Sequence, residues 1–239
     1  MSPKHWPTQQ GSPILRLVGS TPNSDQVVPV RLAGPTDLPP ADLILLTTKA
    51  HDASRAAEQL APALVEGGVV ILLSNGLGLE KDVAKHLPKN TLIRGLVYGG
   101  ASLESPGLVR SKGEGKIVLS IWGQKALRND LVNKPFEIAV ATLQEASLET
   151  EVSINSERSV WEKTMANLAI NPLGALARVR NGIVGTDPYL RSVAVELLSE
   201  ACEVAASDGV MIGSTEAENI FHNATSQTAE NKNSMLNDI

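Results

Sequence analysis

The strongest constraint on this chain is a change of hydrophobic period near residue 155. Before it, short apolar runs alternate with helical stretches; after it the strand signal stops. Asp42–Thr48 and Val69–Leu73 are continuous apolar runs, the pattern of parallel strands covered on both faces. Between them Asp52–Leu64 reads as a helix with Asp52 as its N-cap. Asn75-Gly76-Leu77-Gly78 reads as a turn into a helix over Leu79–Leu87. Thr91–Val97 and Lys116–Trp122 follow as strands, and Phe136–Ala146 as a helix. Ahead of them Ile14–Val18 and Val27–Leu32, joined by a Gly-Ser-Thr-Pro-Asn segment, predict a hairpin. This order predicts a doubly wound α/β sheet. From Glu157 onward, residues 157–178, 187–207 and 215–237 read as helices, with Asp187-Pro188 a clear helix start. The expected organisation is an α/β domain over residues 1–154 and an all-α domain over 155–239, the boundary falling within Glu151–Ser156.

Charge and cysteine usage narrow the function classes. The net charge is -5 and no basic stretch stands out, so nucleic acid is not an expected partner, because phosphate binding needs a positive face. Cys202 is the only cysteine. It excludes an internal disulfide or a cysteine-based zinc cluster, no metal site is expected, and its helical flanks suggest a buried structural thiol. No apolar run reaches the roughly 18 residues of a membrane span. Residues 1–13, with Pro3, Pro7, Gly11 and Pro13, lack the apolar segment of a signal peptide. The expectation is a soluble cytoplasmic protein that does not engage membranes.

The segment from Trp161 to Pro172 carries the chemistry. Lys163, Asn167 and Asn171 recur at i, i+4 and i+8 and so form one stripe on a helix. Thr164 to Ala177 contains no charged residue, which predicts a helix buried on most sides, with Trp161, Met165, Leu168, Pro172 and Leu176 opposite the stripe. Surface lysine and loop-capping asparagines are the ordinary reading of such residues. Yet a buried unpaired amide costs about 1–3 kcal/mol, and two of them one turn apart from each other need common polar partners. A bound carboxylate and hydroxyl would serve.

Trp161-x-Lys163-x-x-x-Asn167-x-x-x-Asn171-Pro172-Leu173, followed by Asn181-Gly182, resembles the central helix of ketopantoate reductases. Lys49, ending Thr47-Thr48-Lys49-Ala50, is similar to that family's strand-end lysine. Ser74-Asn75-Gly76-Leu77-Gly78 resembles its His-Asn-Gly-x-Gly turn, with serine in place of the commoner histidine. Gly95 to Ala101 with Pro106-Gly107, and the stretch from Thr228 through Ser234 to Ile239, resemble further blocks in family order. The resemblance implies a Rossmann-like domain followed by an all-α domain, and NADPH-dependent reduction of 2-dehydropantoate to pantoate on the way to pantothenate and coenzyme A. It implies Lys163 as the proton donor. It implies Asn75, Asn167, Asn171, Asn181 and Ser234 as holders of a small 2-oxo acid, and Lys49, Asn75 and Ala101 as contacts to NADP(H). Hydride addition to a 2-oxo acid builds alkoxide charge, which a nearby ammonium stabilises and neutralises.

One family feature is not found in the sequence. The opening strand and Gly-x-Gly-x-x-Gly loop that cradle a pyrophosphate on a helix N-terminus have no counterpart. Gly76-Leu-Gly78 and Gly113-Glu-Gly115 both lack the third glycine. The resemblance therefore implies a Rossmann-like domain without its first βαβ piece and a helical domain without its last helices. On that expectation the chain by itself neither holds NADPH tightly nor turns over ketopantoate. Another 2-oxo- or 3-oxo-acid reductase of similar fold, or a non-catalytic protein that keeps the substrate domain, stays open as an alternative. The oligomeric state is open too, with a homodimer among the options.

Overall fold

The computed structural model describes residues 6–9, 12–19, 25–88, 90–111, 115–122 and 130–238, the first four residues of the last segment by their backbone alone. Pro3, Gly11, residues 20–23 of the hairpin turn, Gly113 and Ile239 lie outside the described residues. The strands are β1 (Thr8–Gln9), β2 (Ser12–Gly19), β3 (Gln26–Pro29), β4 (Ala41–Leu46), β5 (Leu64–Leu72), β6 (Thr91–Tyr98), β7 (Ala101–Ser105), β8 (Leu108–Ser111), β9 (Lys116–Ile121) and β10 (Glu149–Val152). The helices are α1 (Ala53–Leu60), α2 (Leu79–Ala84), α3 (Asp130–Glu145), α4 (Ser156–Ala177), α5 (Asn181–Thr186), α6 (Pro188–Ser207), α7 (Ser214–Gln227) and α8 (Ser234–Asn237). They fall into two compact units, residues 1–74 with 78–154, and residues 155–239 with Asn75–Leu77.

The first unit is Rossmann-like. Its main sheet has the order β10-β9-β6-β5-β4. β4, β5 and β6 run parallel, with Leu43 opposite Val69 and Val69 opposite Thr91, and β9 turns antiparallel to β6. The second half of β5, Val69–Leu72, shows why its sequence is apolar throughout. Val70 and Leu72 pack into one core with Ala53 and Ala57 of α1 and Val83 of α2. Val69 and Ile71 pack into another with Ala139 and Leu143 of α3. A strand buried on both faces cannot alternate with polar residues. The hairpin expected near the start is formed by β2 and β3, with Leu17 opposite Gln26. β2 then joins β8 and β7 in a second five-stranded sheet.

Several elements differ from the sequence expectation. α1 ends at Leu60, and Ala61–Ala63 forms a 3-10 turn. Pro62 has no N–H to continue the helical ladder, so the chain turns into β5 early. Asp52 does not cap α1 with its side chain; its carboxylate accepts from Arg55 Nη2 at 2.5 Å. The four-residue strand β10, Glu149–Val152, carries little apolar pattern and is defined by parallel pairing to β9.

The second unit packs α4, α5, α6 and α7 around Trp161, Met165, Ala169, Val184, Leu198 and Phe221. Asn155 caps α4 through Arg158 N, and Asp187 caps α6 through Tyr189 N and Leu190 N. The helix expected over 215–237 is two helices, α7 and α8, separated by Thr228–Asn233. α4 continues through Pro172 to Ala177, but Leu176, expected on its covered side, is 85% exposed.

One ion pair sits deep in the first unit. Arg94 on β6 is 1% exposed, and its Nε lies 3.3 Å from Oε1 of Glu80, in the first turn of α2. Burial depresses the Arg94 guanidinium and the Glu80 carboxylate offsets part of that. Removing Glu80 takes away a carboxylate that offsets the cost of burying the guanidinium. Glu80→Ala is therefore expected to lower stability by about 3–5 kcal/mol in urea unfolding, whereas replacing both residues with apolar ones of similar volume costs far less. A single-variant loss below about 1 kcal/mol would show that the guanidinium is solvated or otherwise compensated.

Candidate active site

Lys49 and Asn75 stand just past the carboxyl ends of the adjacent parallel strands β4 and β5, where doubly wound sheets bind ligands. Lys49 is exposed, and its carbonyl accepts from Asp52 N at 3.0 Å to open the 3-10 turn after β4. Asn75 is exposed and leads into a turn with Gly76 at φ 122° and Gly78 at φ 73°. Those left-handed values need glycine, which accounts for the Asn-Gly-x-Gly spacing. Ser74 ties the two strand ends together. It is buried, and its Oγ donates to the Thr48 carbonyl at 2.6 Å. Thr48 Oγ1 beside it is buried without a hydrogen-bond partner. Ala101 is exposed and opens β7, in the smaller sheet.

In the second unit Lys163, Asn167 and Asn171 lie along α4 at helical spacing, and all three are half-buried. The full burial expected for this stripe is not what the structure shows. The apolar residues Trp161, Met165, Ala169 and Ile170 take the covered side. Neither asparagine side chain makes a hydrogen bond among the described residues, so each amide keeps both a donor and an acceptor to offer.

Asn181 opens α5 and is 7% exposed. Its Nδ2 donates to Thr228 Oγ1 at 2.9 Å, and that hydroxyl donates to the Ala224 carbonyl at 2.7 Å. Asn181 Oδ1 is buried with no hydrogen-bond partner, an acceptor without a donor. The segment between α7 and α8 satisfies the first amides of α5: Asn181 N donates to Asn231 O at 3.0 Å and Gly182 N to Ala229 O at 3.1 Å. An Arg180–Glu230 ion pair lies on either side of this contact. Ser234, the first residue of α8, is exposed. Just before it Asn233 is 6% exposed and accepts from Leu236 N at 2.9 Å. Sequence alone does not mark Thr228 and Asn233 as site residues. The only local signal is Asn233-Ser-Met-Leu, an N-cap pattern that does not reveal what Asn233 packs against.

The first unit also holds a cavity of about 170 Å³, lined by Asp42, Leu43, Glu66, Gly68, Val69 and Ile138. It lies at the opposite end of the strands from Lys49 and Asn75. Among the described residues there is no group of three or more His, Cys, Asp or Glu side chains placed to hold a metal ion. No helix among them is long and apolar enough to cross a membrane.

Residues 13–124 match the family model described as ketopantoate reductase PanE/ApbA, and residues 155–239 match the model of its C-terminal part. The chain belongs to the ketopantoate reductase family. It is 36% identical over 206 residues to a 2-dehydropantoate 2-reductase of Pyrococcus horikoshii, covering 85% of this chain and 65% of that protein. The chain thus spans just under two thirds of that relative's length. Among solved structures it is similar to a PanE/ApbA family ketopantoate reductase of Ralstonia eutropha JMP134, with a TM-score of 0.77 and 24% identity, covering 94% of this chain and 70% of that one. It has the same TM-score, at 23% identity, to D-mandelate dehydrogenase in a ternary structure with NADH and anilino(oxo)acetate, covering 90% of this chain and 69% of that one. These two likenesses concern the fold.

In this ketopantoate reductase family member Cys202 is half-buried, not fully buried as its flanks suggest. Partial burial, with a lesser contribution from Glu216, raises its thiol pKa. A raised thiol stays protonated and is a poor nucleophile. The sign follows for stability: this group's contribution is present below about pH 9 and is lost above it, where the unfolded chain ionises first. Iodoacetamide at pH 8 is expected to alkylate Cys202 several-fold more slowly in the native protein than in urea. Equal rates would show that the fold does not hold the thiol protonated.

Proposed function

We propose that the protein reduces 2-dehydropantoate to pantoate with NADPH, and that Lys163 is the proton donor. The observation that carries this reading is the arrangement on and beside α4. A lysine heads a line of two half-buried asparagines with open hydrogen-bonding capacity, and the same unit holds the unpartnered acceptor of buried Asn181. Family membership supports the substrate class.

NADPH, when bound, supplies the hydride. The residues at the strand ends suit the nicotinamide half of such a group: an exposed cation at Lys49, the Asn75 amide, and the buried orphan Thr48 Oγ1 beside the Ser74 contact. Ala101 is assigned a further contact. On the substrate side the amides of Asn167 and Asn171 donate to the carboxylate, Asn181 Oδ1 accepts from the substrate hydroxyl, and Ser234 adds a hydroxyl. As the ketone carbon gains a hydride, its carbonyl π pair moves to oxygen. Lys163 stabilises that oxygen and gives it a proton, which solvent returns to the amine. The net change consumes one hydride and one proton and yields the 2-hydroxy acid. The reading carries with it a cytoplasmic enzyme with Cys202 as a free thiol, the state a reducing compartment maintains.

In the full-length protein Lys163→Ala is expected to lower kcat by about 10²–10⁴ while the NADPH Kd, followed by cofactor fluorescence, stays nearly constant. Near-normal turnover would assign the proton to another group. Absence of any 2-dehydropantoate turnover in the unsubstituted protein would overturn the reading itself. Asn167→Ala is expected to weaken 2-dehydropantoate binding by about 1–3 kcal/mol, leaving the cofactor unaffected. Equal losses for both ligands would mark a folding defect instead.

A further inference from the structure

Gly174 is buried in α4, one helical turn beyond Asn171. A Cβ built on it would stand 2.4 Å from Nδ2 of Asn233. The two ends of that amide are treated differently. Oδ1 caps α8 by accepting from Leu236 N at 2.9 Å, whereas Nδ2 is buried with no hydrogen-bond partner. A buried amide donor left unpaired is unfavourable, so something other than hydrogen bonding accounts for an asparagine here. What Nδ2 does have is the bare backbone of Gly174 to rest on. The amide is therefore held from two sides, by the cap on α8 and by steric contact with α4. Ser234 follows directly in the chain, and its own side chain makes no hydrogen bond among the described residues that would place it.

We propose that Asn233, seated on Gly174, is a positioning residue that sets where Ser234 stands for the substrate. This rests on the assignment of Ser234 to substrate binding made above. The contact couples Ser234 to the helix that carries Lys163, Asn167 and Asn171, so the serine and the stripe keep one spacing. A methyl at position 174 needs about 1 Å more room to reach ordinary contact. That displacement has to be taken up by the Asn233 amide and the first turn of α8.

The test is a small set of variants of the full-length protein. Gly174→Ala is expected to raise KM for 2-dehydropantoate about tenfold or more, since misplacement by about 1 Å is that damaging to a positioned group, while the NADPH Kd stays within about twofold. Asn233→Ser keeps a capping oxygen and vacates the space above Gly174, so adding it to Gly174→Ala should recover most of the lost KM. Asn233→Ala, which has no capping oxygen, should cost more than Asn233→Ser. A second readout does not depend on turnover: amide hydrogen exchange at Leu236 should quicken in Gly174→Ala and Asn233→Ala and slow again in the double variant. An unchanged KM in Gly174→Ala, or no recovery in the double variant, overturns the proposal. If the unsubstituted protein does not turn over 2-dehydropantoate, the functional reading fails, and the exchange pattern still decides whether the Gly174–Asn233 contact positions α8. Should Gly174→Ala fail to fold, Asn233→Ser alone, which keeps the cap but gives up the contact with Gly174, decides the same question: a raised KM for 2-dehydropantoate is expected, and an unchanged KM overturns the proposal.

Discussion

Helix α4 has to bury most of its surface and still present polar groups along one line. The second unit meets both demands through the helical repeat. Trp161, Met165, Ala169 and Ile170 go into the core with Val184, Leu198 and Phe221, and Lys163, Asn167 and Asn171 follow the partly covered side. The apolar side is what holds the polar line still. With 3.6 residues per turn, packing that fixes the rotation of the helix about its axis also fixes the direction of the stripe. Gly174 extends the same logic, because it lets another element approach α4 at backbone distance one turn past Asn171.

Backbone satisfaction explains the rest of that unit. The first amides of a helix need acceptors from outside it, and α5 is only six residues long, with no side-chain cap. The carbonyls of Ala229 and Asn231 supply them. A segment whose carbonyls accept from the amides of another helix cannot also run as a continuous helix, so α7 stops and α8 starts afresh at Asn233. The same detour brings Thr228 to Asn181 and Asn233 to Gly174. One set of backbone bonds thus assembles Asn181, Thr228 and Asn231 from residues separated by some fifty positions of sequence.

In the first unit the corresponding constraint is a sheet covered on both faces. β5 shares the side chains of Val69–Leu72 between two cores, which leaves its exposed polar neighbours at the strand ends. Lys49 is there because the apolar run of β4 finishes there, and the run of β5 ends beside it. The Ser74–Thr48 bond and the Leu73–Leu46 backbone bond at 2.9 Å hold those two ends together. The buried Glu80–Arg94 pair fixes the start of α2, directly after the Asn-Gly turn.

The amino-acid sequence by itself determined the things that depend on period and local geometry. The parallel strands, the change to helices after residue 155, the Asp187-Pro188 start and the spacing of Lys163, Asn167 and Asn171 were all legible, because each is written within a few consecutive residues. So was the family resemblance, since its motifs are local too. Tertiary structure alone decided the break between α7 and α8, because the acceptors that α5 needs lie about fifty residues further along. It decided that β10 is a strand, since Glu149–Val152 has no apolar alternation and gains its geometry by pairing with β9. It also left Leu176 in water and Asp52 paired with Arg55 instead of capping α1. Above all it decided the company of Asn233, an asparagine that reads as an ordinary cap until Gly174 is found beneath its amide. Sequence period specifies which side of an element is apolar. Which distant backbone comes to rest against it depends on how the whole unit satisfies its buried hydrogen bonds and fills its space.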